Sequence, residues 1–228
     1  MKFNLGSGYI LSINSAGTPF IFIGFVLFLT STIFFGFNVF SFFLLILTML
    51  CMSFFRDPER FSPNIPNAII SPADGIVSNI LYSNISIPKE LDLVPNKIST
   101  KVSIFLSVAD VHVNRIPVDG KIIEIKYHPG KFLNASLDKA SDHNERNSIV
   151  IETESGDRVI CCQIAGLIAR RIICDSFVGD QVEAGSRYGI IRFGSRMDIY
   201  LPNGYKLNIK KGQRMVGGET VIAIKEKE

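Results

Sequence analysis

A mainly β domain, built as a compact barrel or sandwich and joined to an α-helical hairpin at its N-terminal end, is the fold class this 228-residue sequence predicts. Two observations carry the prediction. From Pro19 to Phe55 there is no charged residue, and Phe, Leu and Ile dominate. Downstream, short runs of β-branched and aromatic residues recur, separated by turn-forming dipeptides.

The uncharged segment is too long for the core of a signal peptide and too long for one straight span of about 20 residues. Gly36-Phe37-Asn38 divides it into Pro19–Phe35 and Val39–Phe55, each at the short end of spanning length. Lys2 lies before the segment, Arg56 and Arg60 lie after it, and no basic residue lies between. The positive-inside rule therefore predicts a membrane hairpin with both flanks in the cytoplasm. The alternative is one tilted span followed by an interfacial segment. Residues 1–55 are expected to form this N-terminal anchor and residues 56–228 a second domain.

Phe54-Phe-Arg-Asp-Pro-Glu-Arg60, followed by Pro63 and Pro66, reads as a stiff extended connector. Its arginines suit topology determinants, or contacts to a phosphate headgroup. Ala68 to Val77 reads as a strand broken at Pro72 and turned at Asp74-Gly75. Further strands are expected at Lys101–Val108, Lys121–Tyr127, Asn147–Thr153, Arg158–Ile164, Tyr188–Phe193, Met197–Leu201, Tyr205–Ile209 and Thr220–Lys225. Turn signals stand at Gly120, Pro129-Gly130, Ser155-Gly156-Asp157, Asn203-Gly204 and Gly217-Gly218. Lys131 to Arg146 is polar and aperiodic, a loop or short helix of the length that functional lids use.

Composition excludes several classes. With 24 Lys and Arg against 21 Asp and Glu, the chain has no basic footprint for nucleic acid. Cys51 lies in the apolar segment, Cys161 and Cys162 are adjacent, and Cys174 stands alone. With no CxxC, neither a zinc site nor a disulfide scaffold is favoured, and a reducing setting fits better. The three histidines form no HxH or HExxH pattern. His143 sits in a solvated charge run, and His128 precedes a Pro-Gly turn. His112 follows a buried-looking strand, close to Asp110, Asn114 and Arg115.

Gly194-Ser195 interrupts the strand pattern of Ile190 to Pro202 where no loop is needed. Most Gly-Ser dipeptides are turns or linkers. This chain has two others, Gly6-Ser7 and Gly185-Ser186, and the latter lies among spaced glycines suited to a hairpin. At Gly194-Ser195 the serine hydroxyl is one bond from a glycine carbonyl that it can attack once a base activates it. The ester so formed can eliminate to dehydroalanine, which hydrolyses to a pyruvoyl group. The 194/195 bond is thus read as a self-cleavage site whose product is the cofactor.

Taken together, Phe54-Phe-Arg-Asp-Pro58, Ser71-Pro-Ala-Asp-Gly75, Val111-His-Val-Asn-Arg115, Asn144-Glu-Arg-Asn147, Ala165-Gly-Leu-Ile-Ala-Arg-Arg171 and Ile191-Arg-Phe-Gly-Ser-Arg196 resemble, in this order, the phosphatidylserine decarboxylase proenzymes, and among them the short bacterial form. The resemblance spans roughly Phe54 to Ile224. It implies a mostly β catalytic domain cut between Gly194 and Ser195 into a β chain (1–194) and an α chain (195–228). It puts the cleavage serine on Ser195, a triad aspartate on Asp74 and a site histidine on His112. Longer members carry a second histidine three residues on, where this chain has Arg115, which stays protonated and cannot be a base. Base duty then passes to His112, or to a water or carboxylate near it.

The implied activity is that of a carboxy-lyase. It would convert phosphatidylserine to phosphatidylethanolamine through a Schiff base with the pyruvoyl group, with no metal, and with His112, whose ordinary pKa is about 6.5, as proton donor. The implied partners are the lipid substrate and membrane, with a higher oligomer left open and no nucleic acid. The implied place is the cytoplasmic face of the cell membrane. The rival reading is a non-enzymatic, membrane-anchored barrel-sandwich carrier or adaptor, which would need neither Ser195 nor a cut.

Overall fold

The computed structural model describes residues 2–4, 10–93, 98–130, 144–166, 171–192 and 195–226. Gly194, His143, Gly6-Ser7 and most of the polar stretch after Lys131 lie outside these. The chain divides into two compact units, Met1–Glu59 and Arg60–Glu228.

In the first unit, strands β1 (Lys2–Asn4) and β2 (Ile10–Ser12) form a short hairpin, and helices α1 (Thr18–Phe35) and α2 (Val39–Phe54) follow. Pro19 falls in the first turn of α1, where a missing N–H costs nothing. Asn38 starts α2, its side-chain oxygen accepting from the N–H groups of Phe40 and Ser41 at 2.9 and 3.0 Å. Between the helices Gly36 adopts φ +72°, a conformation few other residues accept.

The helices are antiparallel, and their contacts are symmetric about Gly36. Ser31 Oγ lies 3.0 Å from Ser41 Oγ. A Cβ on Gly24 would sit 2.7 Å from Thr48 Oγ1, and one on Gly17 would sit 2.3 Å from Phe55 Cγ. Small and hydroxylated residues therefore line the seam, while Phe22, Ile33, Phe34 and Val39 face outward. That is the reverse of a water-soluble helix pair and the arrangement used between helices in lipid. The helical run Ser15–Phe35 is long and apolar enough to cross a membrane, and α2 is a shorter apolar helix.

The second unit is mainly β. Its strands are β3 (Ala68–Ile70), β4 (Gly75–Leu81), β5 (Ile98–Leu106), β6 (Val113–Arg115), β7 (Gly120–His128), β8 (Arg146–Glu152), β9 (Arg158–Ala165), β10 (Ile172–Cys174), β11 (Gln181–Val182), β12 (Arg187–Ile191), β13 (Ser195–Pro202), β14 (Tyr205–Leu207), β15 (Arg214–Met215) and β16 (Val221–Lys225). Eight of them form an antiparallel sheet in the order β11-β7-β8-β9-β13-β5-β4-β15, so β13 is central. Two three-stranded sheets, β10-β12-β6 and β14-β16-β3, complete the unit.

Alternation along β13 sorts its side chains. Met197, Ile199 and Leu201 join Val102, Ile104, Ile149, Ile151 and Val159 in the main core, which the smaller sheets cover with Ile69, Tyr188, Ile191 and Ile222. Tyr200 points the other way, with Val150, Ile160, Cys162 and Ile164, and is covered by Leu91. Residues 90–93 are strapped over that face. Arg146 grips Glu90 through two hydrogen bonds of 2.7 Å, and Glu124 accepts from the N–H groups of Asp92 and Leu93 at 2.9 and 2.8 Å.

The sequence reading lacks the short strands β1, β2, β6, β10, β11 and β15, and three further elements differ from it. Ala68–Val77 is two strands in different sheets, because the chain crosses between them at Ser71–Asp74. The strand expected to reach Val108 stops at Leu106, because Asp110 Oδ2 accepts from the Ser107 amide and hydroxyl at 2.8 and 2.7 Å and closes a turn. Arg146, expected to end the polar stretch, opens β8.

Candidate active site

Ser195 opens β13 with Leu106 of β5 on one side and Ala165 of β9 on the other. It is fully buried, and among the described residues its Oγ has no hydrogen-bond partner. Leaving a buried hydroxyl unsatisfied costs about 1–3 kcal/mol, so such a group marks a site whose partner comes with function. The strand just beyond it is clamped. Asp198, also fully buried, lies 2.9 Å from Lys101 Nζ and 2.9 Å from Arg196 Nε. Ser186 offers the contrast: it is exposed, and its hydroxyl is spent on the Glu183 carbonyl at 2.6 Å, in a turn where Gly185 has φ +84°.

His112 is buried, with Nδ1 2.9 Å from the carbonyl oxygen of Asp110. A carbonyl only accepts, so Nδ1 carries the hydrogen, and in the neutral ring Nε2 is the basic nitrogen. The Asp110 carboxylate is held by Ser107 on one oxygen and by Arg214 on the other. The His112 carbonyl accepts from the Ile191 amide at 3.3 Å, at the end of β12. From there the chain runs to Ser195. Leu106, opposite Ser195, leads into the Ser107–Asp110 turn, so His112 and Ser195 belong to the same end of the sheet.

Asp74 stands just before β4, whose Ile76 pairs with Phe105 of β5. The register thus brings Asp74 to that same end, two strands from Ser195, or about 10 Å between backbones. Its Oδ2 lies 3.0 Å from Arg60 Nη2, and its Oδ1 accepts from the Gly217 amide at 2.7 Å. The neighbouring Gly218 would place a Cβ 2.7 Å from Arg115 Cδ. Arg115 donates through Nη1 to the Gly185 carbonyl at 2.8 Å, and its own amide donates to Pro72 at 2.9 Å. Gly218 thus lies against both arginines and Gly217 against the Ala73 backbone, where a Cβ would sit 3.0 Å from the Ala73 carbonyl carbon, so side chains on this pair would be crowded.

Ser195, His112 and Asp74, picked from the sequence, thus converge on one end of the eight-stranded sheet. Sequence reasoning missed the anchoring of Asp74 by Arg60, read only as a topology or headgroup residue. It also missed a buried amide chain. Asn147 Nδ2 donates to Gln163 Oε1 at 3.0 Å, and Gln163 Nε2 donates to Asn114 Oδ1 at 2.9 Å. A glutamine at a core-facing position of the expected strand Arg158–Ile164 was the available signal.

Elsewhere, burial first and then the neighbouring Asp198 push the Cys162 thiol up to about 12, leaving it inert as a nucleophile. A groove of about 490 Å³ lies beside Pro63–Ala68, Asp119 and Tyr205, and contains none of the three site residues. Among the described residues no group of three or more His, Cys, Asp or Glu is placed to hold a metal ion.

Residues 47–223 match the protein family described as phosphatidylserine decarboxylase. The chain belongs to the phosphatidylserine decarboxylase family. Proteins named phosphatidylserine decarboxylase proenzyme from Rickettsia akari (strain Hartford) and Rickettsia felis (strain ATCC VR-1525 / URRWXCal2) are each 54% identical to it over 178 residues, covering 78% of this chain and 76% of theirs. The protein of the same name from Rickettsia prowazekii (strain Madrid E) is 53% identical over the same share. Within this family, Arg115 occupies the position at which the sequence resemblance expects a histidine in longer members, and its guanidinium is engaged by the Gly185 carbonyl.

Proposed function

We propose that this chain is a proenzyme that cuts itself between Gly194 and Ser195 and then removes carbon dioxide from phosphatidylserine, yielding phosphatidylethanolamine. The observation that carries the reading is the fully buried Ser195 hydroxyl, without a hydrogen-bond partner among the described residues, at the head of the central strand. Family membership supplies the reaction class.

In the first step a base takes the Ser195 Oγ proton, and Oγ attacks the Gly194 carbonyl carbon. The peptide C–N bond breaks, its nitrogen gains a proton, and an ester joins the two residues. Loss of the Ser195 Cα proton then expels the Gly194 carboxylate and leaves dehydroalanine, which takes up water and releases ammonia. The ketone at the new terminus supplies an electron sink for a substrate amine. A buried hydroxyl between two strands fits a group that must be held rigidly and kept from bulk water.

The chain's own residues do the rest. His112, with Nδ1 committed to the Asp110 carbonyl, presents Nε2 for proton transfer and is the candidate base for processing and acid for turnover. Asp74, fixed by Arg60 and the Gly217 amide, ties residues before the cut to residues after it and sets the local negative charge. After cleavage the α chain, 195–228, stays in place because β13 is paired on both sides.

The apolar hairpin anchors the enzyme to the cell membrane with the catalytic unit on the cytoplasmic side. A two-chain lipid leaves a bilayer at a cost of about 0.8 kcal/mol for each buried CH₂, so the site must come to the headgroup. The test compares the wild type with Ser195→Ala in phosphatidylserine vesicles. The wild type should release carbon dioxide and the variant should remain one uncut, inactive chain. Release by an uncut variant would end the reading.

A further inference from the structure

Three buried amides lie on the Ser195 side of the sheet. Asn114 and Gln163 are fully buried, and Asn147 nearly so. Their hydrogen bonds run in one direction, Asn147 Nδ2 to Gln163 Oε1 at 3.0 Å and Gln163 Nε2 to Asn114 Oδ1 at 2.9 Å. The chain of donors therefore ends at Asn114 Nδ2. Among the described residues that atom has no hydrogen-bond partner. Each amide polarises the next, so the terminal N–H is a stronger donor than an isolated one.

The register brings this donor to the site. Gln163 pairs with Met197 on β13, two residues along from the Ala165–Ser195 pair, or about 7 Å down the strand. Asn114 follows His112 at the two-residue spacing that turns side chains of an extended segment the same way. The backbone around the relay is fitted to it. Gly189 pairs with Asn114, and a Cβ there would lie 3.2 Å from Gln163 Nε2 and 2.2 Å from the Ile173 carbonyl. Two buried polar atoms without partners among the described residues, Ser195 Oγ and Asn114 Nδ2, thus belong to one region, the first a nucleophile and the second a pure donor.

A pure donor calls for an acceptor, and the substrate class proposed above carries one beside its reacting amine. We infer that Asn114 Nδ2, held by Gln163 and Asn147, receives the carboxylate of the serine headgroup. This inference rests on the proposed decarboxylase reading. A neutral amide orients the carboxylate without the full countercharge that would stabilise it against loss, which suits a group that must leave as uncharged carbon dioxide.

The experiment uses Asn114→Ala and the isosteric Asn114→Asp in the full chain, with the processed fraction counted by intact mass. Vesicle binding is read for phosphatidylserine and for phosphatidylethanolamine, which lacks the carboxylate, and KM and kcat are read on the processed fraction. Asn114→Ala should raise the KM for phosphatidylserine about 10- to 100-fold, the range for a hydrogen bond to a charged group. Asn114→Asp should raise it further by repulsion, and neither should change binding of phosphatidylethanolamine. Equal losses for both lipids, an unchanged KM in Asn114→Ala, or failure of both variants to fold where Asn114→Ser folds with an unchanged KM would overturn the inference. A wild type that binds phosphatidylserine through Asn114 but releases no carbon dioxide would sink the decarboxylase reading and leave this one standing. A wild type that does neither would sink both.

Discussion

Gly217 donates its backbone N–H to Asp74 Oδ1 at 2.7 Å, joining a residue before the 194/195 bond to one well after it. The same carboxylate holds Arg60 at 3.0 Å through its other oxygen. Asp74→Asn keeps an oxygen for Gly217 and loses the charge that Arg60 answers. The variant should fold, and its self-cleavage should slow by about 10²–10⁴-fold, because the negative charge that supports proton transfer at the site is gone. The cut fraction against time on a denaturing gel reads this out, and a rate equal to wild type would reduce Asp74 to a structural tie.

His112 can be separated from its scaffold. In His112→Asn the side-chain amide nitrogen stands close to where Nδ1 stood and can still donate to the Asp110 carbonyl, while the basic nitrogen is lost. Thermal stability should remain near wild type and carbon dioxide release should fall by at least about 10²-fold. Retained turnover would move acid duty to another group.

The helical hairpin depends on close approach at Gly24, where a Cβ would meet Thr48 Oγ1 at 2.7 Å. Gly24→Val must push the helices apart or bend the seam, at about 1–3 kcal/mol for overpacking. Melting in detergent micelles should detect a lower midpoint for the hairpin, and Phe22→Val on the outward face should leave it unchanged.

Acid should loosen the link between the Ser155–Asp157 turn and the last strand. Burial alone would raise the Asp157 carboxyl, but hydrogen bonds from Lys225, Ser155 and Tyr205 outweigh it and hold it below the ordinary carboxylate range. Lys225 Nζ is 2.6 Å away and the Tyr205 hydroxyl 3.1 Å. Because the folded pKa lies below the unfolded one, the stabilisation is complete above the unfolded value of about 3.9 and fades as pH falls through the lower folded value. In acid titration followed by circular dichroism, wild type and Asp157→Asn should differ near neutral pH and converge at the acid end. Curves that stay parallel would contradict the linkage.

Much of this fold could be read from the sequence because local physics wrote it there. Gly36 and Asn38 split the apolar segment where the helices turn, Ser155-Gly156-Asp157 marks the β8–β9 hairpin, and Asn203-Gly204 marks the turn at which the chain passes from the eight-stranded sheet to β14. The seam of the helix pair was less legible, since Ser31, Ser41 and Thr48 look like incidental polar residues until the antiparallel packing pairs them. At the site, Ser195, His112 and Asp74 carried recognisable chemistry within short motifs. Arg60, Gly217 and the Asn147–Gln163–Asn114 relay did not, because each acts through a partner far away in sequence, and only strand register brings such partners together. Which of three Gly-Ser dipeptides matters is likewise a question of burial, which separates Ser195 from exposed Ser186.

The central claim is the conversion of Ser195, and the most direct measurement is the intact mass of the purified chain under denaturing conditions. A self-processed chain gives a heavy fragment ending at Gly194 and a light fragment of residues 195–228 that is one ammonia lighter than the same peptide with a serine terminus. A full-length chain that persists uncut in fresh and aged samples, or a light fragment beginning at Ser186, would contradict it.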